Sequence, residues 1–443
     1  MLRKNHIQIL RLAFPIILAN AAVPLLGLAD TAAIGQTGAA ADLGAIALAA
    51  LIFSFVYWGF GFLRMGTTGF VSQAIGARDT DEFHALLFRA VLLGGTIGLG
   101  LILLQPLIGE GAIYLLKGSD DIKELVRQYF YIRIWGAPAT LITFALLGTF
   151  IGAGWTRELL IVQLFLNGFN ILLNLLFVVG FDLGVRGIAL GTLIAEWTTL
   201  LFAGYILARK IHMGPLAMRF RQLRDQIFDR EKMVALLKVN RDIMIRTLAL
   251  LSGFAWFANQ GAEFGDAILA ANHVLLQFVS LSAFFLDGYA HVVEMLAGKA
   301  YGARDRKEFS RQVKDSSQLA AGTAVLLALG VYFFSDFLIG LLTKDTEVQT
   351  IAADHSVYAA IYVAFSFVAF QLDGVFIGVT KSREMRNATL LALLVFVTAA
   401  WWLAGAYGNA GLWISFIIYV VARGTFLGYY YPQIFTRHEG GGR

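Results

Sequence analysis

Apolar positions in this chain come in long unbroken runs, not in the two-residue alternation of half-buried strands. Read at the ~20 residues that cross a bilayer as helix, the runs predict twelve membrane spans. They cover 10–34, 43–70, 85–108, 134–154, 159–179 and 187–207, then 233–258, 267–296, 319–337, 358–379, 388–406 and 412–430. The expected fold class is an all-α polytopic membrane protein with twelve transmembrane helices. Arg3 and Lys4 precede the first run, which is longer than a signal-peptide core and has no small-residue cleavage pattern, so it reads as a retained span.

The polar punctuation between the runs repeats. Gly76-Ala77-Arg78-Asp79, followed by Glu82-Phe83, recurs as Gly302-Ala303-Arg304-Asp305, followed by Glu308-Phe309, a shift of 226 residues. The same shift carries Gly148, Phe150-Ile151-Gly152 and Arg157-Glu158 onto Gly374, Phe376-Ile377-Gly378 and Arg383-Glu384. The chain therefore reads as two related halves, 1–208 and 233–443, joined by a basic linker over 209–232. Duplication of this kind in a membrane chain is a transporter signature. Six spans per half make the two copies parallel, related by a pseudo-twofold axis along the membrane normal, with the substrate path between them.

Charge adds an orientation. Lys and Arg gather in alternate connections: Arg3, Lys4, Arg78, Arg157, the 209–232 linker, the 299–314 loop, Lys381, Arg383, Arg386, Arg437 and Arg443 on one side, against Lys117, Arg186 and Lys344 on the other. Basic loops stay cytoplasmic, so both termini are expected in the cytoplasm and the protein in the inner membrane. The net charge of +5 is then a topology signal, and no nucleic-acid partner is expected. In the linker, Phe220, Leu223, Ile227 and Phe228 sit among Arg219, Arg221, Arg224 and Arg230. That pattern suggests an amphipathic helix on the inner leaflet, or else a solvated tether.

Composition agrees. The chain is 58% apolar and 15% charged, where soluble domains carry roughly 25% charged residues, and its mean hydropathy is +0.70. It has no cysteine, which removes disulfides, thiolate metal sites and cysteine nucleophiles.

Polar residues inside spans are the candidate chemistry. Asp30 follows an uncharged run in a span that also holds Pro15 and Pro24. A mid-bilayer aspartate costs about 2.5–3.5 kcal/mol on insertion scales, and intramembrane carboxylates mark proton relays. A structural carboxylate at the outer mouth is the plainer alternative. The shift of 226 places Trp256 opposite Asp30, so the carboxylate is not duplicated. Pro24 frees the carbonyl of Asn20 and Pro15 that of Arg11, which would let the first span bend.

In span five, Asn167, Asn170 and Asn174 share one helix face. They serve either as interhelical glue or to hold Asp30 in a hydrated cavity, where Thr192 could join them. Glu196 lies one turn beyond Thr192. Span eight carries His273, Gln277, Ser280, Asp287, His291 and Glu294 in a narrow stripe, suited to internal pairing, to lining a cavity or, for Asp287, His291 and Glu294, to an N/O-ligated metal. Asp373 in span ten is a candidate lining residue of the second half. Asp242 and Arg246, four apart, are expected to pair.

Two parallel six-span halves with a lone span-one aspartate resemble the multidrug and toxic compound extrusion (MATE) family, its DNA-damage-inducible F (DinF) branch above all. The resemblance covers essentially the whole chain. It is carried by Leu28-Ala29-Asp30-Thr31, the Gly-Ala-Arg-Asp loops, Asn170-x-x-x-Asn174 followed by Gly184-x-x-Gly187, Phe285–Gly288 and Leu372–Gly374. It implies a V-shaped pair of six-helix bundles that expels small drug-like compounds, often cationic or amphipathic, in exchange for H+ or Na+. By position it implies that Asp30, Asn170, Asn174 and Thr192 form the first-lobe cation site, and that Asp373 is a second-lobe coupling residue. Many relatives carry Asp where this chain has Asn174, which weakens a Na+ site and favours H+.

The expectation is a proton-coupled multidrug antiporter working by alternating access, monomeric among membrane lipids. It is not expected to be an enzyme, and no cofactor or resident metal is expected. The alternative is a lipid-linked precursor flippase of the same superfamily, for which Arg64, Arg133, Arg246 and Arg423 are the candidate cavity cations. A remote alternative is an intramembrane metalloenzyme on Asp287, His291 and Glu294.

Overall fold

The repeated loops are helix stops followed by helix starts. Arg78 and Arg304 both take the left-handed conformation, with φ of 58° and 57°, which ends one helix. Asp79 and Asp305 then accept from the backbone N–H of Glu82 and Glu308, each at 2.9 Å, as N-caps do. Two distant segments with one sequence thus adopt one local structure.

A computed structural model describes residues 4–37, 40–115, 119–211 and 216–436; the side chains of 23–37, 40–41, 43, 216–217 and 436 lie outside that description. Among the described residues every regular element is helical. The first half holds α1 (Lys4–Thr37), α2 (Ala40–Gly59), α3 (Phe62–Gly76), α4 (Thr80–Leu103), α5 (Gln105–Leu115), α6 (Asp120–Arg133), α7 (Ala137–Ala153), α8 (Thr156–Leu175) and α9 (Gly184–Lys210). The linker forms α10 (Leu216–Gln222) and α11 (Arg224–Ile227). The second half holds α12 (Arg230–Glu263), α13 (Asp266–Gly302), α14 (Arg306–Phe333), α15 (Ser335–Leu342), α16 (Thr346–Gly378), α17 (Ser382–Tyr430) and α18 (Gln433–Thr436).

Among the described residues, nine helical stretches are long and apolar enough to cross a membrane. The 49-residue α17 breaks at Gly408 (φ 58°, ψ −137°) and so covers the predicted spans 388–406 and 412–430. The predicted first and seventh spans fall in α1 and in α12, which carries Lys238, Arg241, Asp242 and Arg246. The all-α polytopic class read from the sequence is borne out. α1 runs as continuous helix through Pro15 and Pro24.

Contacts divide the chain into two compact units: residues 18–71 with 79–236, and residues 1–17 with 72–78 and 237–443. Glycines set the helix spacing inside each, and they do so in register. A Cβ on Gly148 or Gly152 would strike the carbonyls of Arg64 or Thr68 in the first of these units. A Cβ on Gly374 or Gly378 would strike those of Ala290 or Glu294 in the other. Each contact maps onto its counterpart by the same shift of 226, so the duplication extends to helix packing. Close backbone approach through small residues is how helices associate where no hydrophobic drive acts between them.

The unit containing α12 to α17 has an aromatic centre. Phe416 stacks on Tyr362 with centroids 4.6 Å apart and lies 4.6 Å from Phe257, while Trp413 is fully buried against Phe257. The reversal at Gly408 is tied down by a reciprocal amide pair. Asn272 donates to Asn409 at 2.7 Å, Asn409 donates back at 3.0 Å, and Trp413 Nε1 donates to Asn272 at 2.8 Å.

Candidate functional site

In the unit formed by 18–71 and 79–236, α8 and α9 bring three polar side chains together. Asn174 Nδ2 donates to Asn170 Oδ1 at 2.9 Å, and Asn170 Nδ2 donates to Thr192 Oγ1 at 3.0 Å. All three are buried. The spacing of four puts Asn170 and Asn174 one above the other on α8, and Gly191 lets α9 approach, since a Cβ there would meet Asn174 Oδ1. Just past Asn174, α8 passes into a π-turn over Leu176–Gly180, a local unwinding common at functional sites. Asn167 is also buried, outside this run of hydrogen bonds. Asp30 and Pro24 lie on α1 but their side chains are outside the described residues, whereas Pro15 is buried. Residues 18–37 of α1 belong to the same unit as the amide run, and residues 4–17 to the other unit.

A second polar group in this unit is an ion pair between half-buried Arg133 and buried Glu196. Arg133 lies 3.6 Å from Glu196, donates to Tyr129 Oη at 3.0 Å, and has its guanidinium 4.5 Å above the Phe53 ring. Gly136 provides the space, because a Cβ there would collide with Glu196. The sequence marks Glu196 as an intramembrane carboxylate and Arg133 as a candidate cavity cation, but not their pairing, since Arg133 stands at the edge of a predicted span.

In the other unit, Asp373 is clamped by two arginines. Asp373 Oδ2 accepts from Arg246 and, at 2.7 Å, from Arg423, and all three residues are buried. The pairing of Asp242 with Arg246 expected from their spacing is not what forms. Asp242 takes Arg241 at 2.9 Å and Arg386 at 2.8 Å instead, and Arg246 crosses to α16. A buried arginine needs a buried anion, and Asp373 is the one its helix faces. The summed charge of intramembrane residues, two arginines and one aspartate, was the available signal for this cluster.

The α13 stripe spreads along its helix. His273 and Gln277 contact each other at 3.1 Å at an exposed site, and Ser280 is exposed. His291 Nδ1 lies 2.6 Å from the Asp287 carbonyl, and Glu294 is buried. Among the described residues no group of three or more His, Cys, Asp or Glu is placed to hold a metal ion.

The described part of the linker packs on α4. Leu223 and Ile227 bury against Ala85 of α4, flanked by Phe88 and Phe220. Arg219 pairs with Asp81 and reaches His84 Nδ1 at 3.3 Å, and Lys232 pairs with Glu82 at 2.5 Å. The amphipathic pattern was legible; that its apolar face meets α4 was decided by the complementary acidic residues at the start of that helix.

A helical membrane protein with an internal duplication, polar side chains buried between its helices and glycine-mediated packing belongs to the class of polytopic transporters built from repeats. The MatE family model matches the chain twice, over residues 15–176 and 247–402, and the chain belongs to this family. It is 34% identical over 434 residues to the DNA damage-inducible protein F of Escherichia coli (strain K12), covering 96% of this chain and 91% of that protein. It is 23% identical over 455 residues to a probable multidrug resistance protein NorM of Bacillus licheniformis, covering 99% of this chain and 97% of the other. Among solved structures it resembles a MATE protein in complex with MaD3S, with a TM-score of 0.87, 20% identity, and 98% and 97% of the two chains covered. It also resembles an outward-facing multidrug resistance MATE family transporter of the MOP superfamily, with a TM-score of 0.86, 19% identity, and 98% and 97% covered. The family resemblance read from the sequence is borne out.

Proposed function

We propose that this protein is a cation-coupled antiporter of the cell's inner membrane that exports small organic, often cationic or amphipathic molecules, with H+ as the coupling ion. The observation that carries the reading is the buried run Asn174–Asn170–Thr192 in the compact unit that also holds residues 18–37 of α1, and with them Asp30. Amides and a hydroxyl supply no charge of their own, so in this reading Asp30 supplies the charge that balances a cation here. A single carboxylate is neutralised by one proton, whereas Na+ would ask for more oxygen ligands and a retained charge. The two prolines bracket residue 17, where α1 passes from one unit to the other. Protonation at Asp30 would thereby be linked to bending of α1 and to substrate release.

In this reading residues 1–208 and 233–443 are the two lobes and 209–232 the connecting segment. The protein works as a monomer without a cofactor, and the basic loops, with both termini, face the cytoplasm. Asp373, held by Arg246 and Arg423, would organise the second lobe.

The test is export of a cationic dye in inverted vesicles energised by a pH gradient. Asp30→Asn is expected to abolish it, and Asn170→Leu to slow it at least tenfold. A proton ionophore should stop the wild type, and a Na+ gradient alone should not drive it. Unchanged transport by Asp30→Asn, or transport driven by Na+ alone, overturns the coupling.

A further inference from the structure

The duplication leaves one matched pair of surfaces treated differently. In the first half, α4 receives the linker: Phe220 packs edge-on against Phe88 at 5.4 Å, Leu223 and Ile227 bury on Ala85, and Arg219 reaches His84. The shift of 226 carries His84, Ala85 and Phe88 to Ser310, Arg311 and Lys314 on α14. Two of these, Ser310 and Lys314, line an open groove of about 360 Å3 together with Val313, Leu372, Gly428 and Tyr431.

One substitution decides what fits this groove. Where the first half offers Phe88 to an apolar helix, the second offers the cation Lys314; Arg311, the counterpart of Ala85, does not line the groove. Arg311 is held by Glu308 at 2.6 Å, while Lys314 is exposed and makes no ion pair among the described residues. The floor stays apolar, through Val313, Leu372 and the bare backbone of Gly428, where a Cβ would meet nothing. Among the described residues none fills it: after α17, Phe435 is taken up by Phe309 and Tyr301 at 5.1 and 5.4 Å.

Ser310 and Lys314 precede the span predicted over 319–337, and Tyr431 follows the one over 412–430, so the groove opens at the level of lipid headgroups on the basic-loop side. Basic pockets between membrane helices on that side take anionic headgroups, and the volume is that of a small-molecule site. We propose that this groove binds an anionic phospholipid, with its phosphate on Lys314, Ser310 and the Tyr431 hydroxyl and an acyl chain over Val313, Leu372 and Gly428. The lipid would share with the linker site of the first half the positions of Ser310 and Lys314, which map to His84 and Phe88. This site is independent of the transport reading.

The test is native mass spectrometry of the full-length protein released from micelles containing equal phosphatidylglycerol and phosphatidylcholine. The wild type is expected to retain phosphatidylglycerol in preference. Lys314→Ala should lower that preference at least fivefold, Lys314→Arg should keep it, and Lys307→Ala at the start of the same helix, α14, should leave it unchanged. Gly428→Trp, which fills the groove, should reduce retention of both lipids. Folding is read by gel filtration, and the Lys314→Arg and Gly428→Trp arms decide the matter if Lys314→Ala fails to fold. The proposal is overturned if Gly428→Trp retains lipid like the wild type, or if Lys314→Ala matches Lys307→Ala. It is also overturned if inorganic phosphate displaces the lipid, or if the spectrum shows a dimer that Gly428→Trp dissociates.

Discussion

Gly302 lies against the backbone carbonyl of Gln73. Residues 73 and 299 are related by the 226-residue shift, and so are 76 and 302; Gly76 in turn lies against the carbonyl of Lys299. The two copies of the loop motif thus meet each other through reciprocal glycine–carbonyl contacts within one compact unit. Gln73 Nε2 adds a hydrogen bond to the Gly378 carbonyl at 2.8 Å.

A methyl group at either glycine has nowhere to go, because its neighbour is backbone. Gly302→Ala is expected to destabilise the protein by about 1–3 kcal/mol, the usual cost of overpacking. Gly204→Ala, where a Cβ would meet nothing, should not. Thermal unfolding of the two variants in one detergent compares them directly, and equal midpoints would contradict the contact.

The arginine clamp on Asp373 predicts an asymmetry between removals. Asp373→Ala leaves two buried guanidinium groups without a counter-charge and should cost about 3–5 kcal/mol. The double variant Asp373→Ala with Arg246→Met removes one of them, and part of that loss should return. Denaturation of the two purified variants measures the difference, and a double variant no more stable than the single one would show that Arg246 is balanced elsewhere.

Docking of the linker is open to proteolysis. Leu223→Asp puts a carboxylate against Ala85 and Ile227, so the segment should detach while the membrane helices stay folded. Trypsin cleavage at Arg221 or Arg224 is expected to speed up tenfold or more, the ratio that about 1.4 kcal/mol of lost docking energy produces. Arg219→Ala, which loses only exposed or half-buried polar contacts, should have the smaller effect.

Gly408 makes the reversal in α17 with a backbone conformation closed to other residues. Gly408→Ala should therefore cost about 1–3 kcal/mol. Asn409→Leu, which leaves Asn272 short of a partner that both donates and accepts, should cost about as much. Both are read from melting curves, and wild-type stability for Gly408→Ala would mean the turn has an alternative geometry.

Much of this molecule is legible in one dimension. Span-length apolar runs declare the membrane class, and the recurrence of Gly76-Ala77-Arg78-Asp79 as Gly302-Ala303-Arg304-Asp305 declares the duplication. Both reflect local rules: a bilayer of fixed thickness, and one cap geometry demanded wherever a helix stops and restarts. The spacing of Asn170 and Asn174 likewise sets them on one face of α8 with no help from tertiary contacts.

Tertiary structure alone decided which partner each polar group takes. Asn170 meets Thr192 only because Gly191 lets α9 close on α8. Arg246 passes over Asp242, one turn away, for Asp373, which is 127 residues distant, because Arg386 from α17 already occupies Asp242. Leu223 and Ile227 of the linker meet Ala85 of α4 for the same kind of reason. Helical periodicity determines which way a side chain faces, but its partner depends on which helix is packed opposite and on how far burial strengthens a charge pair. Neither is written in the spacing of residues along one helix.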